Sequence, residues 1–179
     1  MTDTDDQLYR AVQQVRNFFV EIARMLTDCD RLMSEAGWGS AATASLSGNS
    51  TSINYPKWWV PHVMHRNYTN ADQPDILKTI VVVLEDEWEE RLSEITIVAT
   101  KYKSADGGAV GINSTDNSVW WLTQADREAD GKVRVITAED PIGADFERFN
   151  QIQLFAQPIS LVTNVDLIKS KLVDVLVSL

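Results

Sequence analysis

An apolar repeat in the first third of the chain limits the possible folds more than any other feature. Apolar residues recur there in alternating steps of four and three: Leu8, Val12, Val15, Phe19, Ile22, Leu26, Cys29 and Met33. A 3.5-residue repeat is typical of a helix that packs along another helix, nearly parallel or antiparallel to it. The sequence therefore predicts a helix over about residues 5–35, ended by Gly37. We call this apolar stripe the seam.

The C-terminal end of the chain carries a shorter stripe with the same spacing. Its members are Val165, Ile168, Leu172, Val175 and Leu179. This stripe predicts a second helix, which begins at Thr163. Two such stripes are most simply explained if the helices pack on each other, on one face of a sheet or across a dimer axis. Because the seam is the longer stripe, about two turns of it need the sheet or a second copy as partner. We therefore expect a homodimer with the long helix in or near its interface.

The central part of the sequence has the pattern of a β-sheet. Residues 76–85 are apolar with little alternation, which predicts a central strand buried on both faces. Further strands are predicted at 94–103, 119–123, 133–138 and 151–157. The short turn segments between most of them favour antiparallel pairing. The predicted fold class is α+β: a long N-terminal helix, a mostly antiparallel sheet of about five strands, and a C-terminal helix. A length of 179 residues fits a single domain over 1–179.

Residues 38–54 form the low-complexity stretch of the chain. Gly, Ser, Thr, Ala and Asn make up most of it. The sequence predicts a flexible loop here, anchored at its root by Trp38. We expect fast proteolysis and rapid amide exchange over residues 39–53.

The charge balance restricts the classes of partner. The chain has 26 acidic and 16 basic residues and a net charge of −10. This disfavours nucleic acids, which are bound by clustered Lys and Arg, and anionic membranes. A basic protein would be attracted. The longest apolar run, 80–84, is too short to span a bilayer, the first residues lack a secretory signal, and the single cysteine cannot form an internal disulfide. We expect a cytoplasmic protein.

The segment 55–68, YPKWWVPHVMHRNY, contains both histidines of the chain, His62 and His65. A helical turn that begins at Pro61 would place the two imidazoles on one face, three residues apart. Such a pair can bind a metal, with Asp72 or Asp75 as a further ligand. A structural role has more weight, because the spacing lacks the glutamate of a metalloprotease motif.

Two tryptophan doublets are the other candidate contacts. In an extended segment, one ring of each doublet faces the core and the other faces outward. Outward rings that adjoin would form a binding patch, although core packing explains both doublets equally well. The predicted binding residues are Trp58, Trp59, His62, His65, Arg66, Trp120 and Trp121.

The sequence contains no nucleophile motif and no phosphate-binding loop, and no cofactor is expected. The function expected is that of a non-enzymatic, acidic interaction or accessory protein. It would bind another protein, basic or a second copy, through its aromatic patches or its long helix. The alternative is a metal-dependent hydrolase that uses His62 and His65 with nearby acids.

Overall fold

The computed structural model describes residues 3–41, 45–47, 61, 63–84, 95–110, 130–137 and 149–179. Helix α1, Asp3–Glu35, begins the fold. The strands follow as β1 Gly39–Ser40, β2 Ser45–Ser47, β3 Val63–Asn70, β4 Gln73–Val83, β5 Thr96–Ser104, β6 Arg134–Ile136 and β7 Phe149–Pro158. The C-terminal helix α2 consists of three consecutive segments, Val165–Ile168, Lys169–Val173 and Asp174–Ser178. The α+β fold class predicted from the sequence is confirmed.

The sheet has the order β1-β3-β4-β5-β7-β6, and its strand pairs are antiparallel. Strand β2 pairs with β3 on the same edge as β1, so the strands occupy six positions rather than about five. The sequence analysis missed β3 and the two short edge strands β1 and β2. The predicted strands at 76–85, 94–103, 133–138 and 151–157 correspond to β4, β5, β6 and β7, and 119–123 lies outside the described residues.

Two segments of the predicted 38–54 loop are edge strands. Gly39 and Ser40 pair with the end of β3, and Ser45–Ser47 pairs with its beginning. These backbone groups belong to a ladder, so we no longer expect rapid exchange from them. Residues 42–44 and 48–54 of that loop lie outside the described residues.

Helix α1 ends where the sequence predicts. Gly37 has a φ of 85°, a conformation that glycine adopts without a Cβ penalty. The Trp38 N–H donates to the Met33 carbonyl at 2.8 Å, and the Gly37 N–H donates to the Ser34 carbonyl at 3.0 Å. This pair of bonds is a Schellman motif. It turns the chain so that Trp38 is buried in the same core cluster as Met33, which makes Trp38 the expected anchor.

Both faces of the sheet are buried. On one face, α1 and α2 pack over residues such as Ile80 and Val82 of β4. On the other face, Val81 and Val83 belong to a second cluster with residues of β5 and β7. Strand β4 is therefore a central strand that is buried on both faces, as its apolar run predicts.

The two helical stripes meet, but α2 is not regular. Its cap is Asn164, one residue after the predicted Thr163, and the Asn164 side chain accepts from the Leu167 N–H. The stripe is buried at Ile168 and Leu172, Val175 is half-buried against the same core, and Leu176 beside it is fully buried. The middle segment, Lys169–Val173, is π-helical and interrupts the α-helical hydrogen bonding of α2.

A buried lysine fixes the end of α2 to the sheet. The Lys78 Nζ donates to the carbonyls of Leu176 at 2.7 Å and Val177 at 2.8 Å. It also lies 4.5 Å from the ring centroid of Trp38. Burial, with a smaller contribution from the charge of Lys101, lowers the pKa of Lys78 to about 8.

The titration of Lys78 predicts a pH dependence of stability. In the unfolded chain this lysine titrates near 10.5, so between pH 8 and 10.5 the unfolded state binds a proton that the folded state has lost. Its contribution therefore makes the protein more stable as pH rises across this window, by up to about 3 kcal/mol. Buried Cys29 and Tyr68 have raised pKa values and act in the opposite direction at high pH.

The quantity to measure is therefore the difference in unfolding free energy between the wild type and Lys78→Met, from urea titrations at several pH values. We expect that difference to shift in favour of the wild type from pH 8 to pH 10.5. A difference that stays constant over this range contradicts the assignment.

Candidate protein-binding face

The seam changes its environment halfway along α1. Leu8, Val12 and Val15 are 67%, 44% and 49% exposed, whereas Ile22 is only 2% exposed. The later seam residues, Leu26, Cys29 and Met33, are buried in the core with the sheet and α2. Phe19, between the two parts, is half-buried. We call Leu8, Val12, Val15 and Phe19 the free seam.

The free seam lies within residues 5–21 of α1, and none of these residues is buried. Tyr9 and Val20 are further exposed apolar side chains there. A helix segment of this length is marginally stable in water unless it packs on something. A continuous exposed apolar stripe is also a recognised mark of a protein-binding surface.

A groove opens where the free seam ends. It lies between α1 and the segment that leads into α2, and its volume is about 510 Å³. The apolar side chains that line it are Phe18, Ile22, Met25, Ile159, Val162, Val165 and Ile168. The polar residues of the lining are Glu21, Arg24, Asp28, Thr163 and Asn164. The groove therefore continues the apolar surface of the free seam toward α2.

One carboxylate adds polar contacts to the apolar packing of α1 on the sheet. The Tyr68 hydroxyl donates to Asp30 Oδ1 at 3.0 Å, and Arg66 Nη2 lies 3.1 Å from Asp30 Oδ2. Tyr68 is fully buried, and this burial, with the nearby Cys29 and Asp30, raises the pKa of Tyr68. The phenol is therefore a stable proton donor, and the three side chains link α1 to β3.

The structure separates two residues that the sequence analysis grouped. Residues 63–70 are a strand, so the predicted helical turn with His65 on its exposed face is wrong. Neighbouring residues of a strand point to opposite faces of the sheet. Arg66 faces Asp30 of α1, whereas His65 lies on the other face and is 1% exposed. His65 and Arg66 therefore do not form one surface patch.

The acids proposed as further metal ligands lie far from His65. His65 pairs with Val81, and Asp75 is six residues earlier in β4, a separation of about 20 Å at the usual rise of a strand. Asp72 is in the turn between β3 and β4. Within the part of the chain that the structure describes, no group of three or more His, Cys, Asp and Glu side chains could hold a metal ion.

The other predicted binding residues, Trp58, Trp59, His62, Trp120 and Trp121, lie outside the described residues. The structure shows two features that the sequence analysis did not identify: the contacts of Asp30 and the exposure of the N-terminal half of α1. The sequence did contain a signal for this exposure, because the seam is longer than the apolar stripe of α2.

None of the protein-family models, curated proteins or solved structures compared with this chain matches it. Among the described residues, no helix combines the length and the apolar character needed to cross a membrane. The assignment of a function therefore depends on the geometry of α1 and its surroundings.

The role of Asp30 is testable with a neighbouring control. Asp30→Ala leaves a buried phenol and a guanidinium without their carboxylate, which we expect to cost about 2 kcal/mol or more of unfolding free energy. Asp28→Ala removes an aspartate of the same helix whose ion pair with Arg31 is long, at 3.9 Å. We expect that change to stay within about 0.5 kcal/mol. Equal losses in urea titrations of the two variants would contradict the anchoring role of Asp30.

Proposed function

We propose that this chain is a non-enzymatic interaction protein that binds through the free seam and acts as a homodimer. The observation that carries the proposal is the division of one apolar stripe into two parts. From Ile22 onward the stripe is core, and before Phe19 the same stripe is exposed. A helix with such a stripe is completed by another helix that packs along it.

A second copy of the chain supplies a helix with a matching repeat. The free seam has the 3.5-residue spacing that its partner also needs. Full burial of a Val or Leu side chain stabilises by roughly 1.5–3 kcal/mol, and the exposed fractions of Leu8, Val12 and Val15 leave much of that gain for association. Because association itself costs several kcal/mol, we expect an affinity in the micromolar range.

The net charge distinguishes a second copy from a basic partner. Two copies that each carry −10 repel one another, and added salt screens this repulsion. The homodimer should therefore become tighter as salt rises. A complex with a basic protein, which is favoured by attraction, should become weaker.

A cytoplasmic location is part of the same proposal. Its support is the single cysteine, which is a buried free thiol in α1. Burial, followed by the neighbouring Asp30 and Asp28, raises the pKa of Cys29 to about 12, so the thiol has little reactive thiolate.

The metal-dependent hydrolase has no support from the described residues. Its premise was a helical turn with His62 and His65 on one face and acids close by. Residues 63–70 are a strand instead, and Asp72 and Asp75 lie away from His65.

The proposal predicts different outcomes for three substitutions to aspartate in α1. Val15→Asp places a charge in the exposed part of the seam, so the protein should fold and be monomeric. Gln14→Asp adds the same charge one residue away, off the seam, and should leave the dimer intact. Ile22→Asp places the charge in the core and should unfold the protein.

Sedimentation velocity over the micromolar range, with circular dichroism for folding, measures these outcomes. A wild-type protein that stays monomeric at high micromolar concentration and high salt would contradict the homodimer. A Val15→Asp variant that dimerises like Gln14→Asp would show that the free seam is not the interface.

A further inference from the structure

We infer that the two copies pair with their α1 helices antiparallel, about a two-fold axis that passes between residues 13 and 14 of each helix. This inference rests on the homodimer proposed above and specifies its geometry. It follows from the spacing of the free seam, from the point at which the core begins, and from the position of the sheet and α2 relative to α1.

The spacing of the free seam fits this axis. In antiparallel helix pairs of this kind, residues of the two alternating seam positions face each other across the interface. Leu8 then faces the partner's Phe19, and Val12 faces the partner's Val15. The two-fold symmetry repeats both contacts, which gives four layers of apolar side chains. Each member of the free seam has an apolar residue opposite it.

The length of the exposed segment fits the same axis. The next layer would bring the partner's Asp5 opposite Ile22, and Ile22 is the first seam residue that the chain buries in its own core. The partner's helix begins two residues earlier, at its Asp3. Each helix therefore ends close to where the other chain's core begins. The exposed part of α1 and the described length of the partner's helix that would cover it therefore match.

The position of the core excludes the parallel arrangement. The seam from Ile22 to Met33 faces the chain's own sheet and α2. Packed helices lie about 8–10 Å apart, so a parallel partner helix would continue into the space that this core fills. An antiparallel partner leaves in the opposite direction, and the two cores then sit at opposite ends of the helix pair.

The residues beside the seam are compatible with this pairing. Tyr9 lies next to the partner's Arg16, where the arginine can pack on the ring, and Ala11 lies next to the partner's Phe18. Like charges do not meet at these flanking positions. In a parallel pair, by contrast, Asp5 would face the partner's Asp5 in the seam itself.

The groove extends the contact at both ends of the helix pair. The free seam alone supplies fewer residues than the roughly 20–30 a side of a standard interface. The first turn of the partner's helix arrives beside residues 21–24, at the mouth of the groove. Apolar groove residues such as Ile22 and Met25 lie at that end.

Distances between spin labels test the arrangement directly. Arg10 and Arg31 are exposed and lie on the outer side of α1, away from the seam, so Arg10→Cys and Arg31→Cys accept a label without entering the interface. Cys29 is fully buried with a pKa raised to about 12, so it does not react with the label in the folded protein.

The antiparallel dimer separates the two labels at position 31 by roughly 50 Å along the helix axis. It separates the two labels at position 10 by only roughly 10 Å along the same axis. A parallel dimer has no axial separation at either position and gives the same short distance at both. We therefore expect pulsed electron paramagnetic resonance to show a long distance for Arg31→Cys and a short one for Arg10→Cys. Adding Val15→Asp to either variant should abolish the signal.

Three other results would contradict either the antiparallel arrangement or the homodimer itself. Equal short distances at both positions in a sedimenting dimer would overturn the antiparallel arrangement and leave the homodimer in place. A dimer without a short distance at position 10 would overturn it as well. A monomer in sedimentation, with no dipolar signal from either variant, would instead overturn the proposed function on which the inference rests.

Discussion

The structure depends on one constraint: α1 carries an apolar stripe that is longer than the described elements of the fold cover. The C-terminal part of the stripe is core, packed on the sheet and on α2. In the N-terminal part of the same helix the stripe is exposed, and the groove beside Ile22 marks the boundary. A second helix along the free seam would complete the packing that the described elements of the chain leave unfinished.

Polar contacts join the covered half of α1 to the sheet and to α2. Asp30 accepts a hydrogen bond from Tyr68 and pairs with Arg66, both on β3. At the end of α1, the Schellman turn at Gly37 leads into Trp38, whose ring lies beside the buried Lys78. Because Lys78 also binds the last turn of α2, the two helices and the central strand form one connected unit.

The sequence predicted the elements whose periodicity is strong and local. The seam, the run that became β4, and Gly37 as helix stop were all readable in this way. Strand β3 was missed because Pro61 and the histidine spacing suggested a helical turn, and because its buried face carries polar residues. Asn67 accepts a hydrogen bond from Thr79 on β4, a partner that no local pattern reveals. The π-helical segment of α2 and the contact of Asp30 with Tyr68 likewise depend on tertiary packing.

Hydrogen exchange of α1 at different protein concentrations tests the central claim most directly. An unpaired helix segment frays and exchanges quickly, whereas a packed one is protected. If the free seam is completed by a second copy, residues 5–19 should be protected at high concentration and exchange rapidly on dilution. Residues 22–33, which pack on the chain's own core, should keep the same protection throughout. Protection of residues 5–19 that does not change while the dimer dissociates would contradict the account.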